Sequence, residues 1–222
     1  MKLAGAPVLA LAALVLTAPL RAQDSSAVSP ITLQAGPSLG VELGFSRASF
    51  RGGGASGTRA SNGAVAGAWF RLPLARWLSV QPGLRLVSRG GAGTIPSLAG
   101  PVDFEVDLVY LDMPLLLRAR LPGISRTNLV LLLGPAPGAR IGCNVDFSQA
   151  GSPLARATCD QATTGASFRS WDVALTAGIG IALPVERSEI SLEARYAQGT
   201  RDVIENADTR NRAFTFTLSV PF

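Results

Sequence analysis

The side chains that could do chemistry in this chain are arginines and carboxylates, which occur two to six residues apart within otherwise apolar segments. The chain has no histidine, which removes the usual general base of hydrolases and the commonest metal ligand. Its two cysteines alone supply too few ligands for a zinc site. We therefore expect no catalytic site, no metal site and no cofactor, and we predict that the protein is not an enzyme.

The ionic residues recur at even spacings, which places them on one side of an extended strand. Because isolated charges inside a protein are costly, we expect the arginines to pair with carboxylates. The main expected partners are Asp112 and Glu193 on the acidic side and Arg85, Arg118 and Arg195 on the basic side. The whole predicted charge network of the interior comprises Glu42, Arg71, Arg85, Asp112, Arg118, Asp172, Glu193 and Arg195.

The strands that must position these residues are indicated by a strict alternation of apolar with small or polar residues, which predicts β-strands with one apolar face. The alternation occupies residues 31–44, 62–73, 77–89, 103–120, 128–141, 171–183, 189–199 and 213–222. Short connections alternate with longer ones rich in Gly, Ser, Thr, Asn and Arg, as in outer-membrane barrels. The sequence therefore predicts an all-β fold, an eight-stranded antiparallel up-and-down transmembrane β-barrel.

The segment 103–120 changes phase along its length. Its polar residues fall at odd positions from Asp103 to Asp107 and at even positions from Asp112 to Arg120. One extra residue near Val109 or Tyr110 would restore the alternation, so we predict a β-bulge there.

Two closed barrels fit the alternation. In a soluble, lipocalin-like periplasmic barrel the apolar face lines a cavity for a hydrophobic ligand, whereas in a membrane barrel it contacts lipid. Charged residues make up 16% of the chain, while a soluble exterior should carry roughly 25–35%. The polar face is rich in Gly, Ala, Ser and Thr, which suit the narrow interior of eight strands and favour the membrane barrel. The soluble barrel remains the alternative.

The narrow interior also bears on the role of the charge network. The network could carry ions or protons, or it could fill the barrel and hold the strands in register. Eight strands leave too little room for an open pore, which favours a plugged lumen. The positive charges form no basic run, so we expect no binding of nucleic acid.

The two ends of the chain predict export and membrane assembly. Residues 1–22 combine Lys2, an apolar run and small residues before Ala22, which is typical of a cleaved signal peptide and leaves a barrel domain at 23–222. The last strand ends in phenylalanine and resembles the C-terminal signal read by the outer-membrane assembly machinery. That predicted signal consists of Phe214, Phe216, Leu218, Val220 and Phe222.

Two further groups of residues fall in the predicted loops. Cys143 and Cys159 both lie in the longest one, and we predict a disulfide between them because the periplasm is oxidising. Eight arginines lie at the predicted outer end: Arg47, Arg51, Arg59, Arg89, Arg156, Arg201, Arg210 and Arg212. Their counterions could be lipopolysaccharide phosphates, or their charge could simply be solvated.

The segment 110–118 reads YLDMPLLLR and resembles the "YLEIPLLLK" stretch of the PorT-like outer-membrane β-barrel domain family. The stretch LLGP at 132–135 and the pair Gly36-Pro37 with Gly40 are similar to that family as well. The resemblance implies an eight-stranded barrel of a Gram-negative outer membrane and carries no catalytic residues. We expect a monomer that contacts outer-membrane lipid, lipopolysaccharide and the assembly machinery. We also expect a structural or interaction role through extracellular loops, or in an envelope or secretion assembly.

Overall fold

The computed structural model describes residues 36–55, 57–122, 127–159, 169–185, 188–204 and 208–222. The predicted signal peptide at 1–22 and the predicted start of the first strand at 31–35 lie outside these residues. The described residues form ten strands: β1 (Ser38–Arg51), β2 (Ser61–Pro73), β3 (Leu78–Ile95), β4 (Val102–Asp112), β5 (Leu115–Pro122), β6 (Asn128–Gln149), β7 (Ser152–Thr158), β8 (Trp171–Val185), β9 (Ser188–Asp202) and β10 (Arg210–Pro221). A three-residue 3₁₀ turn, Gly53–Ala55, follows β1.

The strands close into an antiparallel ring with eight positions, which confirms the predicted fold class. The ring runs β2, β1, β10, β9, β8, β6, then β4 together with β5, and then β3, which pairs back onto β2. Both β4 and β5 lie between β3 and β6. They are separated at Met113 and Pro114, because proline has no N–H to donate to the ladder. The additional strand β7 pairs with β6 beyond the ring.

Several strands run further at their outer ends than the alternation predicts. β1 continues to Arg51, β3 to Ile95 and β6 to Gln149. The backbone ladder continues there although the outward side chains are no longer apolar. As a correction, Cys143 therefore lies on β6 rather than in a loop, and part of the predicted loop at 142–168 is the strand β7. Arg89 likewise lies on β3 and faces the interior.

The predicted extra residue does not lie in β4, whose inward parity is constant. Val106, Leu108, Tyr110 and Asp112 are all buried, so one parity faces the interior along the whole strand. The pattern inverts because the medium changes: beyond the apolar band the outer surface is polar and the interior is apolar. An alternation of period two cannot distinguish such an inversion from a shift of register.

A register irregularity does occur at the predicted place, but in the neighbouring strand. Val109 pairs with Gly142, whereas Tyr110 pairs with Arg140, so the extra residue is Ile141 of β6. Beyond this point the inward parity of β6 changes, and Val145 becomes buried.

The outer part of the interior is a hydrophobic cluster. Its buried members are Val65, Val87, Val106, Leu108, Tyr110, Val145, Cys159 and Val203. Cys143 packs against this cluster and is joined by a disulfide to Cys159, with the two Cα atoms 5.5 Å apart. The disulfide therefore ties the end of β7 to β6.

The outward face of the ring carries a band of exposed apolar side chains. It includes Leu43, Phe45, Leu84, Leu117, Leu133, Leu175, Ile181, Leu192 and Phe216. A soluble barrel would line a cavity with such residues, so this arrangement does not favour the soluble alternative. Within the described ranges, no helix combines the length and apolar character needed to cross a membrane.

Replacing Leu192 by arginine tests whether this band contacts lipid. Leu192 is 61% exposed on β9. A lipid-facing arginine near the bilayer midplane is destabilising, so we expect Leu192→Arg to lower the free energy of unfolding by about 2–4 kcal/mol. The measurement is a denaturant titration in lipid vesicles.

The matched control for this experiment is Leu154→Arg. Leu154 is 55% exposed on β7, outside the band. Its replacement should change the free energy of unfolding by less than about 0.5 kcal/mol, as at an ordinary wet surface. Equal losses in both variants would contradict the assignment of the band to lipid.

Candidate functional site

The ionic side chains converge inside the ring, in the part that the apolar band surrounds. The buried arginines are Arg71, Arg85, Arg89, Arg118 and Arg195, and the buried carboxylates are Glu42, Asp112, Asp172, Glu189 and Glu193. All eight residues of the predicted network are among them. Five positive and five negative groups give a formal charge of 5 − 5 = 0 for these buried side chains of the described chain. Such balance is the condition under which charge is tolerated in a protein interior.

Arg195 on β9 lies at the centre of the network. Its Nη1 and Nη2 donate to the two carboxylate oxygens of Glu42, at 3.2 and 2.6 Å. Its Nε and Nη2 also donate to Oε2 of Glu193, at 3.0 and 2.6 Å. Glu42 lies on β1, with β10 between the two strands, so this guanidinium joins strands that are not hydrogen-bonded neighbours.

A second arginine extends the network across the interior. Arg118 on β5 donates to Oε1 of Glu193 on β9, although β8 and β6 lie between these strands in the ring. The same guanidinium donates to Glu189 at 2.8 Å. The side chain of Arg118 is only 2% exposed. These bonds span the barrel interior from one wall to another.

Glu189 collects positive groups near the end of the barrel that carries the short connections. Besides Arg118, its carboxylate contacts Nη1 of Arg71 at 3.5 Å and Nε of Arg120 at 3.0 Å. Nε of Arg71 donates to Gln81 at 3.4 Å. One carboxylate thus holds arginines from β2 and β5 against β9.

A second centre of the network surrounds Asp112. Its Oδ2 accepts hydrogen bonds from Nε and Nη2 of Arg85, at 3.4 and 3.3 Å, and from Arg89. The guanidinium of Arg89 lies 4.8 Å from the ring centre of Tyr110. The hydroxyl of Tyr110 accepts a bond from Asn211 at 3.3 Å. This centre therefore connects the ionic part of the interior to the hydrophobic cluster.

Asp172 lies inside the barrel but apart from the paired residues. It is 5% exposed, and its Oδ1 accepts the backbone N–H of Arg201 at 3.3 Å. Within the described residues it forms no ion pair. The geometry thus brings together seven of the eight predicted members, in two centres, and leaves Asp172 beside them.

Six of the ten buried ionic side chains lie directly opposite a glycine of a neighbouring strand. Glu42 and Arg85 both face Gly67, Asp112 and Asp172 both face Gly138, Arg195 faces Gly178, and Glu193 faces Gly180. A Cβ atom at Gly180 would lie 2.8 Å from Cγ of Glu193, and one at Gly178 would lie 2.9 Å from Cγ of Arg195. The glycines thus leave the volume that the long ionic side chains occupy, which explains why the inward face is rich in them.

Sequence reasoning left Arg89, Arg120 and Glu189 out of the network. Parity is sufficient to find all three. Arg89 shares the inward parity of Arg85, Arg120 that of Arg118, and Glu189 that of Glu193.

The arrangement of the described ionic residues holds strands together through ion pairs. Four of the five buried carboxylates accept bonds from guanidinium groups. The described residues contain no cluster of three or more His, Cys, Asp or Glu side chains suited to a metal ion.

The residues of the predicted assembly signal lie on the strand that closes the ring. β10 pairs with β1 on one side and with β9 on the other. Phe214, Phe216 and Leu218 point outward and are 44–51% exposed, and the N–H of Phe222 donates to the carbonyl of Leu39 at 2.9 Å. Their role in assembly remains a prediction.

The chain aligns with several solved structures. Ail, the attachment invasion locus protein of Yersinia pestis, aligns over 84% of this chain and 99% of its own, with 15% identity and a TM-score of 0.44. Neisserial surface protein A aligns over 84% of this chain and 99% of its own, with 13% identity and a TM-score of 0.44. OprG from Pseudomonas aeruginosa aligns over 85% of this chain and 96% of its own, with 15% identity and a TM-score of 0.44. At this level of likeness, no function is transferred from them.

No curated protein sequence matches the chain. The family described as "Outer membrane protein beta-barrel domain" matches residues 22–205, which is most of the chain. The finer resemblance to PorT-like members stays a prediction. The alternating strands, the closed ring of eight, the outward apolar band and this match together place the protein in the cell outer membrane, and the chain belongs to the outer membrane protein β-barrel domain family.

Proposed function

We propose that this protein is a monomeric barrel with a plugged lumen, which acts as a structural or interaction protein through its outer end in an envelope or secretion assembly. The observation that carries the proposal is the pair of contacts by which Arg118 and Arg195 meet Glu193 in the middle of the interior. Side chains that bond to one another across the lumen leave no open path for solutes.

Two layers of different chemistry support the plugged lumen. The ionic network occupies the part of the barrel behind the apolar band. The hydrophobic cluster, which includes the fully buried Leu108 and the 1% exposed Tyr110, lies beyond it. An ion that passed the first layer would have to lose its hydration in the second, which is unfavourable for a charged species.

The ordered outer end supports an interaction role. β3, β4, β6 and β7 continue beyond the apolar band, and the disulfide holds the hairpin of β6 and β7 together. The outer surface here is polar, with ion pairs between Arg59 and Asp103 at 3.2 Å and between Arg156 and Asp146 at 3.3 Å. Desolvation by partial burial raises the pKa of Asp107, and the nearby Asp146 carboxylate adds to the shift while Arg156 opposes it. This wall therefore loses negative charge at a less acidic pH than ordinary aspartates would.

The closing strand supports recognition by the assembly machinery. β10 presents its outward phenylalanines and completes the ring by pairing with β1. A strand whose pairing closes the barrel is a suitable binding segment for a factor that inserts the barrel into the membrane.

A plugged lumen predicts that the protein conducts no ionic current in planar lipid bilayers. The wild-type protein should show no steady channels, because its interior side chains bond to one another. A variant with both layers opened, Arg118→Ala/Arg195→Ala/Leu108→Ala/Tyr110→Ala, removes the two spanning side chains and two large members of the hydrophobic cluster. It should show measurable conductance if it folds, as judged by heat-modifiable gel mobility.

The matched control is Arg59→Ala/Arg156→Ala, which removes two arginines from the exposed outer surface. It should be as silent as the wild type. Steady channels in the wild-type protein would refute the plugged lumen.

The ion network also predicts that removing one partner of a buried ion pair lowers the free energy of unfolding more than removing one partner of an exposed pair. Arg195→Met leaves Glu42 and Glu193 buried without their shared partner, so the free energy of unfolding should fall by about 3–5 kcal/mol. Adding Glu42→Gln should restore part of that loss, and the coupling is obtained from a double-mutant cycle measured by denaturant titration.

The exposed pair of Arg59 and Asp103 serves as the reference for this cycle. Its side chains are 66% and 47% exposed, so Arg59→Met should change the free energy of unfolding by no more than about 1 kcal/mol. If the exposed and buried pairs proved equally dispensable, the network would not hold the strands together.

A further inference from the structure

The structure divides the eight arginines assigned to the outer end into two groups. Four lie away from the paired strands β1 and β10: Arg59 pairs with Asp103, Arg156 pairs with Asp146, Arg201 lies 3.6 Å from the ring centre of Trp171, and Arg89 lies inside the barrel. The other four are Arg47, Arg51, Arg210 and Arg212, and they all lie on the paired strands β1 and β10. We call these four residues the arginine face.

The arginine face concentrates like charges on adjacent positions. Arg51 lies directly opposite Arg210 in the register of β1 and β10, Arg212 lies opposite Ser49, and Arg47 lies opposite Phe214. All four arginines are exposed on the outer surface of the ring. Like charges directly opposite one another destabilise a sheet, so this arrangement requires compensation.

Only part of that compensation comes from the described residues. Nε of Arg210 lies 3.3 Å from Oδ1 of Asp202, and Nε of Arg212 donates to Oγ of Ser49 at 2.7 Å. Within the described ranges, neither Arg47 nor Arg51 forms an ion pair. A second carboxylate, Asp208, lies at the edge of the face, where its Oδ2 accepts the N–H of Gly53 at 3.0 Å. Among the described residues, the four guanidiniums and these two carboxylates leave a surplus of 4 − 2 = 2 positive charges.

The arginine face sits directly above outward aromatic side chains. Phe45 stacks on Phe216 with ring centres 5.0 Å apart, and Phe214 contacts Tyr196 with ring centres 4.8 Å apart. Two residues beyond Phe45 the next outward position is Arg47, and two residues before Phe214 it is Arg212. This abrupt change from aromatic rings to guanidiniums marks the outer edge of the apolar band.

The opposite wall of the barrel carries the opposite charge. Asp103, Glu105 and Asp107 of β4 and Asp146 of β6 lie on its outer part. In the ring of eight positions, β6 is four positions from β1, and β4 is four positions from β10. An anionic ligand is therefore attracted to one side of the barrel alone.

We propose that the arginine face is a binding site for the phosphorylated, acylated sugar headgroup of lipopolysaccharide. Guanidinium groups form bidentate hydrogen bonds with phosphate, and the unpaired Arg47 and Arg51 are available for it. The aromatic rings beneath contact the acyl chains of the same molecule. The site therefore matches both the phosphate groups and the acyl chains of the lipid. It lies at the edge of the apolar band, where the headgroup of a lipid meets its acyl chains. The inference rests on the outer-membrane location and holds whether or not the interior conducts ions.

The test is a binding measurement on the full-length protein in nanodiscs, with bisphosphorylated lipid A as the probe. The variant Arg47→Gln/Arg51→Gln/Arg210→Gln/Arg212→Gln should bind at least about tenfold more weakly, because charge-assisted hydrogen bonds are lost. Lipid A stripped of its phosphates should bind the wild type with a similar loss. Inorganic phosphate at equal concentration should not compete, because it lacks the acyl chains.

The control variant is Arg59→Gln/Arg156→Gln/Arg201→Gln, which removes three outer arginines that already have partners. It should bind lipid A as the wild type does. Heat-modifiable mobility verifies the fold of each variant, and if the fourfold variant does not fold, Arg47→Gln/Arg51→Gln replaces it, since these two have no ion pair to lose. Equal binding by the wild type and the folded variant, or by phosphorylated and dephosphorylated lipid, would overturn the site. Competition by inorganic phosphate would overturn its assignment to a lipid.

Discussion

The guanidinium of Arg195, held between Glu42 and Glu193, is the interaction on which the rest of the barrel depends. A charge in this position is tolerated only if both partners are present and if the neighbouring strand leaves room for the long side chain. The first condition determines which strands must lie near one another, and the second places Gly178 opposite the arginine. The small residues of the inward face and the register of the ring are thus consequences of the same buried charge.

The second organising constraint is that the medium changes along the barrel. Behind the apolar band the interior is ionic and the exterior is apolar, whereas at the outer end the interior is apolar and the exterior is polar. β4 passes through both regions, with Asp112 in the first and Leu108 in the second. The backbone hydrogen bonds between strands do not depend on whether the outer surface contacts lipid or water. The strands therefore continue beyond the band and form an ordered outer end.

These two constraints separate the roles of the barrel's parts. The side chains of its interior bind to one another, so we expect partners to bind at the outer surface. There the charge is distributed unevenly, with Arg47 and its neighbours on one wall and Glu105 and its neighbours on the other. A barrel of this kind has a defined orientation toward the lipids and proteins around it.

The alternation by itself determined the strands, their two faces and the inward position of the ionic residues, because side-chain direction in a strand depends only on parity. It did not determine where the strands end at the outer side, or that the extra residue near Tyr110 belongs to β6, because both depend on the partner strand and the medium. Nor did it decide the pairing of Arg118 with Glu193, which are 75 residues apart. Only the closed ring brings those two side chains within reach, since the contact crosses the interior between strands that share no backbone hydrogen bonds.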